Sequence, residues 1–134
     1  MTIERCFMGL ADRTRLRILN LLLSGELCGC DIEYVLDVSQ SNVSRHLNYL
    51  RQAGLVRNRR NGYRVYYRLA DGRDQSMSLL FDYLRRAFAS DQTFGADSRA
   101  LASAVRKGAC TISEAPSRRT TAGARPSRSR SASA

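Results

Sequence analysis

Residues 38–69, VSQSNVSRHLNYLRQAGLVRNRRNGYRVYYRL, read as a capped helix followed by a hairpin. Ser39 stands where its side chain can accept a bond from the amide of Asn42, and Val38 and Val43 take the staple positions on either side of that cap. The helix is expected to run to Ala53, with Gly54 as its left-handed stop. At about 100° per residue, Val43, Leu47 and Leu50 form one stripe, while Ser41, Arg45, Asn48 and Gln52 lie opposite. One face packs and the other is polar. His46, the only histidine, falls nearer the apolar stripe and is read as a packing or phosphate-contacting residue rather than a metal ligand or catalytic base.

Beyond Gly54, Asn61-Gly62 separates Leu55–Arg60 from Tyr63–Leu69, a signal for a two-residue hairpin turn with both central residues at positive φ. That turn would place Arg60 opposite Tyr63, Arg59 opposite Arg64, Asn58 opposite Val65, Arg57 opposite Tyr66 and Val56 opposite Tyr67. Alternation then sends Val56, Val65, Tyr67 and Leu69 inward and Arg57, Arg59, Arg64, Tyr66 and Arg68 outward. Arg59 facing Arg64 would oppose the hairpin unless an anion lay against it.

Upstream, Ile3 to Leu10 reads as a short helix holding Cys6. Asp12 can cap a second helix, Arg13 to about Ser24, with Leu16, Leu19 and Leu23 at helical spacing and Gly25 as a stop. Ile32, Val35 and Leu36 suggest about two more turns that Asp31 could start. Downstream, Asp74 to Ser90 is expected to be a long helix in which Met77, Phe81, Leu84 and Phe88, widened by Leu80 and Ala87, form a face broad enough to call for a partner helix. A further helix is expected from Asp97 to Ala109 through Leu101 and Val105. From Ala115 onward the composition cannot bury enough apolar surface to order itself. The expected organisation is a DNA-binding and dimerisation domain over 1–92, a helical extension over 93–113 and a disordered basic tail over 114–134.

The chain has 134 residues and a formal charge of +10. At that length it is one domain, large enough to fold without a disulfide or structural metal. The charge is concentrated: residues 41–73 hold eight arginines against one aspartate, and residues 115–134 hold five arginines and no acid. Such a concentration is the footprint of a polyanion partner. No apolar run approaches the roughly 20 residues that span a bilayer, and the N-terminus has no signal core, so a cytoplasmic protein without a membrane partner is expected. In a reducing compartment, the four cysteines read as thiols, ligands or redox switches.

Short helices, a turn, a polar-faced helix and a basic hairpin follow one another in the order of a winged helix-turn-helix, an α+β, mainly helical fold with a two-stranded wing and a C-terminal dimerisation helix. The helix after the turn would enter the major groove of double-stranded DNA, where Gln40, Ser41, Ser44, Arg45 and Asn48 could reach base edges. Arg57, Arg59 and Arg64 of the wing would contact phosphates or the minor groove, contributing affinity and salt dependence.

Glu26-Leu27-Cys28-Gly29-Cys30-Asp31 places two thiols one residue apart at the entry to the helix-turn-helix. Thiolates select soft ions, among them As(III), Sb(III), Cd, Pb and Zn, and a helix start favours the thiolate. Residues i and i+2 of an α-helix point about 200° apart, so one ion could join both sulfurs only if the turn unwound, a distortion that Gly29 would ease. Effector and DNA would then compete for one stretch of backbone. On spacing alone, the reading of both cysteines as small core hydrophobes stays open.

The segments LADRTRLRILNLL, ELCGCDIEYVLDVSQSNVSRHLNYLRQAGLV and RNRRNGYRVYYRL together resemble the ArsR/SmtB family of metal-sensing bacterial repressors, most nearly its arsenic-responsive branch, over about residues 3–92. The resemblance implies a homodimeric repressor that leaves its operator when a thiophilic ion binds, with Cys28 and Cys30 as ligands and no organic cofactor. Glu33 stands where that branch commonly has a third cysteine, so a third sulfur would come from Cys6, which is preferred, or Cys110, of either subunit. Arg13 replaces the usual proline after LAD, and the His-rich zinc site of some members is absent. Within DNA binding, the rivals are a Cd, Pb or Zn sensor and a sensor of oxidants or persulfides through the same two thiols. A thiol enzyme finds no support, since the chain lacks a Cys-x-x-Cys spacing and a nearby base.

Overall fold

The computed structural model describes residues 2–70 and 74–108. Asp71 to Arg73, Cys110 and the basic tail lie outside the described residues. The elements run α1 (Ile3–Leu10), α2 (Arg13–Leu22), β1 (Leu27–Cys28), α3 (Gly29–Leu36), α4 (Gln40–Gln52), β2 (Val56–Asn61), β3 (Arg64–Leu69), α5 (Gln75–Ala89) and α6 (Gln92–Lys107). The fold is mainly helical with a small antiparallel sheet in the order β1-β3-β2.

The expected caps form. Asp12 accepts from the Arg15 amide and Ser39 from the Asn42 amide, each satisfying a donor that the helix start leaves unpaired. Asp37 turns left-handed (φ 54°) to end α3 and return its amide to Glu33 O, which sets α4 at its angle to α3. Together α3, the three-residue turn and α4, followed by the β2–β3 hairpin, make the winged helix-turn-helix.

At the centre lies α2, whose second half buries Ile18, Leu19, Asn20, Leu21 and Leu22 on every side, where the leucine spacing suggested a single stripe. Arg15 joins three helices. Its guanidinium donates to Gly9 O (2.9 Å) and Met8 O (3.0 Å) at the end of α1, lies 3.3 Å from His46 Nδ1 and stacks 4.2 Å over the Tyr49 ring of α4.

Two expectations about the C-terminal helices change. The Met77, Phe81, Leu84, Phe88 stripe of α5 is buried by this chain's own core, Phe88 meeting Phe94 of α6 with ring centroids 4.2 Å apart. Ala87, expected to widen that stripe, is exposed, and the large apolar residues that α5 exposes are Leu79 and Tyr83, one turn apart on another face. Moreover α6 starts at Gln92, capped by Asp91, five residues before the expected Asp97. It contributes Phe94, Leu101 and Ala104 to the same core as α2, and Arg17 Nε and Nη2 grip the Asp97 carboxylate at 2.8 and 2.9 Å.

Candidate functional site

The polar face of α4 is as the helical spacing requires: Gln40, Ser41, Ser44, Arg45 and Asn48 are all exposed, and Val43, Leu47 and Leu50 are buried beneath them. Along that face Arg45 donates to Asn42 Oδ1 (2.8 Å) and Arg51 to Asn48 Oδ1 (2.7 Å). His46 is buried between Arg15 and Asp12, and burial pushes its pKa down, with Arg45 and Arg15 adding to that and Asp12 opposing it.

The wing departs from its expected register by two residues. Asn61 pairs with Arg64, Arg60 with Val65, Arg59 with Tyr66, Asn58 with Tyr67, Arg57 with Arg68 and Val56 with Leu69. Gly62 alone has positive φ (67°), and it occupies the first of the two turn positions, the pattern of a type II′ turn, so Asn61 stays in the ladder. A shift of two preserves every face and changes every partner. The facing arginines are therefore Arg57 and Arg68, and Arg59 has an aromatic neighbour instead. Arg57 and Arg59 are exposed and Arg64 is half-buried, its guanidinium 5.5 Å from the Tyr63 ring centroid.

The wing also has a third strand. Leu27 pairs with Tyr67 and Cys28 with Tyr66, so β3 is the central strand and Tyr66, expected outward, is 1 % exposed. Cys28, Tyr66 and Arg59 thus form one cross-strand row. Arg59 stacks 4.6 Å from the Tyr66 centroid and donates twice to Glu26, at 2.9 and 2.7 Å, which raises its already high pKa further. Glu26, Tyr66 and this engagement of Arg59 were missed by sequence reasoning. Glu26 and Arg59 are 33 residues apart, and a two-residue strand carries no periodicity to find it by.

The thiol pair contradicts the expected geometry most directly. Cys28 is the N-cap of α3, in extended conformation (φ −72°, ψ 152°), and Cys30 is the second helical residue. Because Cys28 lies outside the helix, the opposed directions of i and i+2 do not apply, and the two sulfurs are 3.0 Å apart. No unwinding is needed to bring them together. The turn is fixed by Asp31, 1 % exposed, whose Oδ2 accepts from the Cys28 amide at 3.0 Å. Cys28 is buried and Cys30 exposed, so the pair is reached from one side. Tyr67 lies alongside; burial pushes its phenol pKa up and Cys28 adds in the same direction.

Cys6 does not join them. It is buried in the core under α1, burial pushes its thiol pKa up, and among the described residues no group of three His, Cys, Asp or Glu could hold a metal ion. Cys110 lies outside the described residues. No helix among them is long and apolar enough to cross a membrane.

Residues 12–58 match the family described as bacterial regulatory protein, arsR family. The chain is 50 % identical over 64 residues to the arsenic resistance transcriptional regulator ArsR1 of Pseudomonas putida, covering 47 % of this chain and 50 % of that protein. It is 52 % identical over 65 residues to the arsenical resistance operon repressor of Escherichia coli, covering 48 % and 56 %. The match thus spans about half the length of these curated relatives. Among solved structures, the homodimeric winged helix-turn-helix DNA-binding domain of a possible ArsR-family transcriptional regulator from Mycobacterium bovis superposes with a TM-score of 0.56 at 33 % identity, covering 63 % of this chain and 76 % of that one.

Proposed function

The chain belongs to the arsR family of bacterial regulatory proteins, and from that premise we propose that it is a homodimeric repressor that binds double-stranded operator DNA in the cytoplasm and is released when As(III) or Sb(III) is captured by Cys28 and Cys30. The observation that carries the proposal is the 3.0 Å separation of the two sulfurs at the start of the helix-turn-helix. Taking the zinc–thiolate bond of about 2.3 Å as the scale, two such bonds at angles between about 90° and 110° hold sulfurs roughly 3.3–3.8 Å apart, so the pair must open by less than about 1 Å. A third sulfur is supplied by Cys110 or by Cys6, of this chain or the second copy; Cys6 would have to leave the core to do so.

Gln40, Ser41, Ser44, Arg45 and Asn48 face the major groove. A bidentate Asn48 contact to adenine requires that it release Arg51, and Arg45 reaches guanine by turning away from Asn42. Arg57 and Arg64 meet phosphates from the wing. The second copy covers Ile3, Phe7 and Met8 of α1 and Leu79 and Tyr83 of α5, all more than half exposed in the single chain, an apolar area that a lone soluble chain seldom leaves bare. Domain 1–92 is assigned DNA binding and dimerisation, and α6 braces it.

The test is a double replacement, Cys28→Ser with Cys30→Ser, in a fluorescence anisotropy titration of operator DNA. The variant is expected to bind DNA as the parent does and to stay bound in arsenite. Undiminished release would reject the site. A second reading, oxidation of the pair to a disulfide, draws on the same short separation; peroxide without arsenite then releases DNA and a thiol reductant restores it, while arsenite has no effect.

A further inference from the structure

We propose that Glu26 and Arg59 form the tether that carries movement of the thiol turn into the wing, making both positioning residues rather than Arg59 a phosphate contact. The inference rests on the reading of Cys28 and Cys30 as the effector site and names how that site reaches the DNA-binding surface.

Strand β1 is two residues long and is held to β3 by the pairings of Leu27 with Tyr67 and Cys28 with Tyr66. By themselves, these pairings would let a displacement at Cys28 peel β1 away from the wing and be absorbed locally. The residue before β1 prevents that. Glu26, with a side chain only 13 % exposed, is gripped by both arms of the Arg59 guanidinium. Arg59 is on β2, the far strand of the sheet, and lies over the ring of Tyr66 on the strand between. The turn is therefore fastened to all three strands: through the β1 pairings to β3, and through Glu26 to β2 across Tyr66. A charge-assisted, bidentate contact stacked on an aromatic is the geometrically demanding kind, made by an Arg fork and not by Lys. With it in place, the turn and the wing move as one body. Coupling of this kind is a property of the pair and is measurable as such.

The experiment compares the full-length parent with Glu26→Gln and Arg59→Lys. Arg59→Lys keeps the charge, so a loss of phosphate attraction cannot account for its effect. Four quantities are read for each protein: arsenite affinity from thiolate absorbance, DNA affinity without arsenite, the ratio of DNA affinities without and with arsenite, and amide hydrogen exchange over Arg64–Leu69 without arsenite. Both variants are expected to keep arsenite affinity and the salt slope of DNA binding, to exchange the β3 amides faster, and to lower the ratio by about 2- to 30-fold. A role confined to stability would leave the ratio in place. Variants that release DNA as fully as the parent overturn the tether and leave the effector site standing. A parent that binds arsenite and keeps its DNA overturns the effector reading itself, and the tether with it.

Discussion

Replacing Asp97 by Ala tests whether α6 is part of the folded unit or an appendage to it. The carboxylate is 8 % exposed and takes two bonds, 2.8 and 2.9 Å, from Arg17 of the central helix, whose side chain keeps 24 % of its surface in solvent. Hydrogen bonds involving a charged group each contribute about 1.5–3 kcal/mol net. Breaking a fully buried pair by removing one partner costs about 3–5 kcal/mol, because the other charge is stranded. Arg17 is not fully stranded, since its exposed quarter can rehydrate, so the expected loss is about 2–3 kcal/mol. For a domain of this size that lowers Tm by roughly 9–14 °C. Urea unfolding followed by circular dichroism measures the loss, with an unchanged m-value confirming that the same unit unfolds. Asp82→Ala serves as the control, because its 3.8 Å contact with Arg85 is mostly in water and should leave the midpoint where it is. A loss below about 0.5 kcal/mol in Asp97→Ala, the range of an ordinary surface change, would mean that α6 hangs on the domain without stabilising it, and that a boundary at residue 92 is a real one.

Two further outcomes are expected. A Cβ at Gly9 would sit 3.0 Å from Leu55 Cδ1 and 3.3 Å from Ala53 Cβ, both buried, so Gly9→Ala should lose about 1 kcal/mol, overpacking of about 1–3 kcal/mol exceeding the helix-propensity gain; a raised urea midpoint would refute the close approach of α1 to the end of α4. His46, facing Arg15, Arg45 and Asp12, has its pKa lowered below the ordinary 6.5 chiefly by burial. The unfolded chain therefore takes up a proton first as pH falls. The His46 contribution to stability should be level above pH about 6.5, decline below it, and level off again once the folded-state pKa is passed. In His46→Gln that component of the decline should vanish from the pH–Tm curve; a parent and variant with parallel curves would show that His46 is not the group responsible.

Much of the fold was legible because its signals are local. The caps at Asp12 and Ser39, the stop at Gly54 and the stripe of Val43, Leu47 and Leu50 each depend on residues within a turn or two of one another, and the structure reproduces them. The failures share the opposite property. Burial of α2 on all sides depends on helices α5 and α6, which arrive more than fifty residues later. The wing register turned on which residue of Asn61-Gly62 opens the turn, and both choices satisfy the alternation of faces equally well. Tyr66 was assigned the correct side of the sheet, yet it is buried, with Arg59, itself held by Glu26, lying over its ring.

The thiol pair shows the same division within six residues. Proposing ELCGCD as a soft-ion site drew on residue types, spacing and the family resemblance, while judging its geometry needed to know on which residue the helix begins. Had Asp31 begun α3, Cys28 and Cys30 would both precede the helix; had both cysteines been helical, their sulfurs would diverge. Instead Asp31 is the third helical residue and turns back to the Cys28 amide, which places the helix boundary between the two cysteines. This changes the energetics of a switch. A ligand that had to unwind α3 would lose part of its binding free energy to breaking helical hydrogen bonds, whereas a pair already 3.0 Å apart needs only a small opening. That free energy shifts the equilibrium only to the extent that the DNA-bound dimer resists the same opening, because differential affinity between DNA-bound and free states is the only quantity by which an effector can act. Where the displacement goes is decided by what the turn is fastened to, which in this chain is the wing.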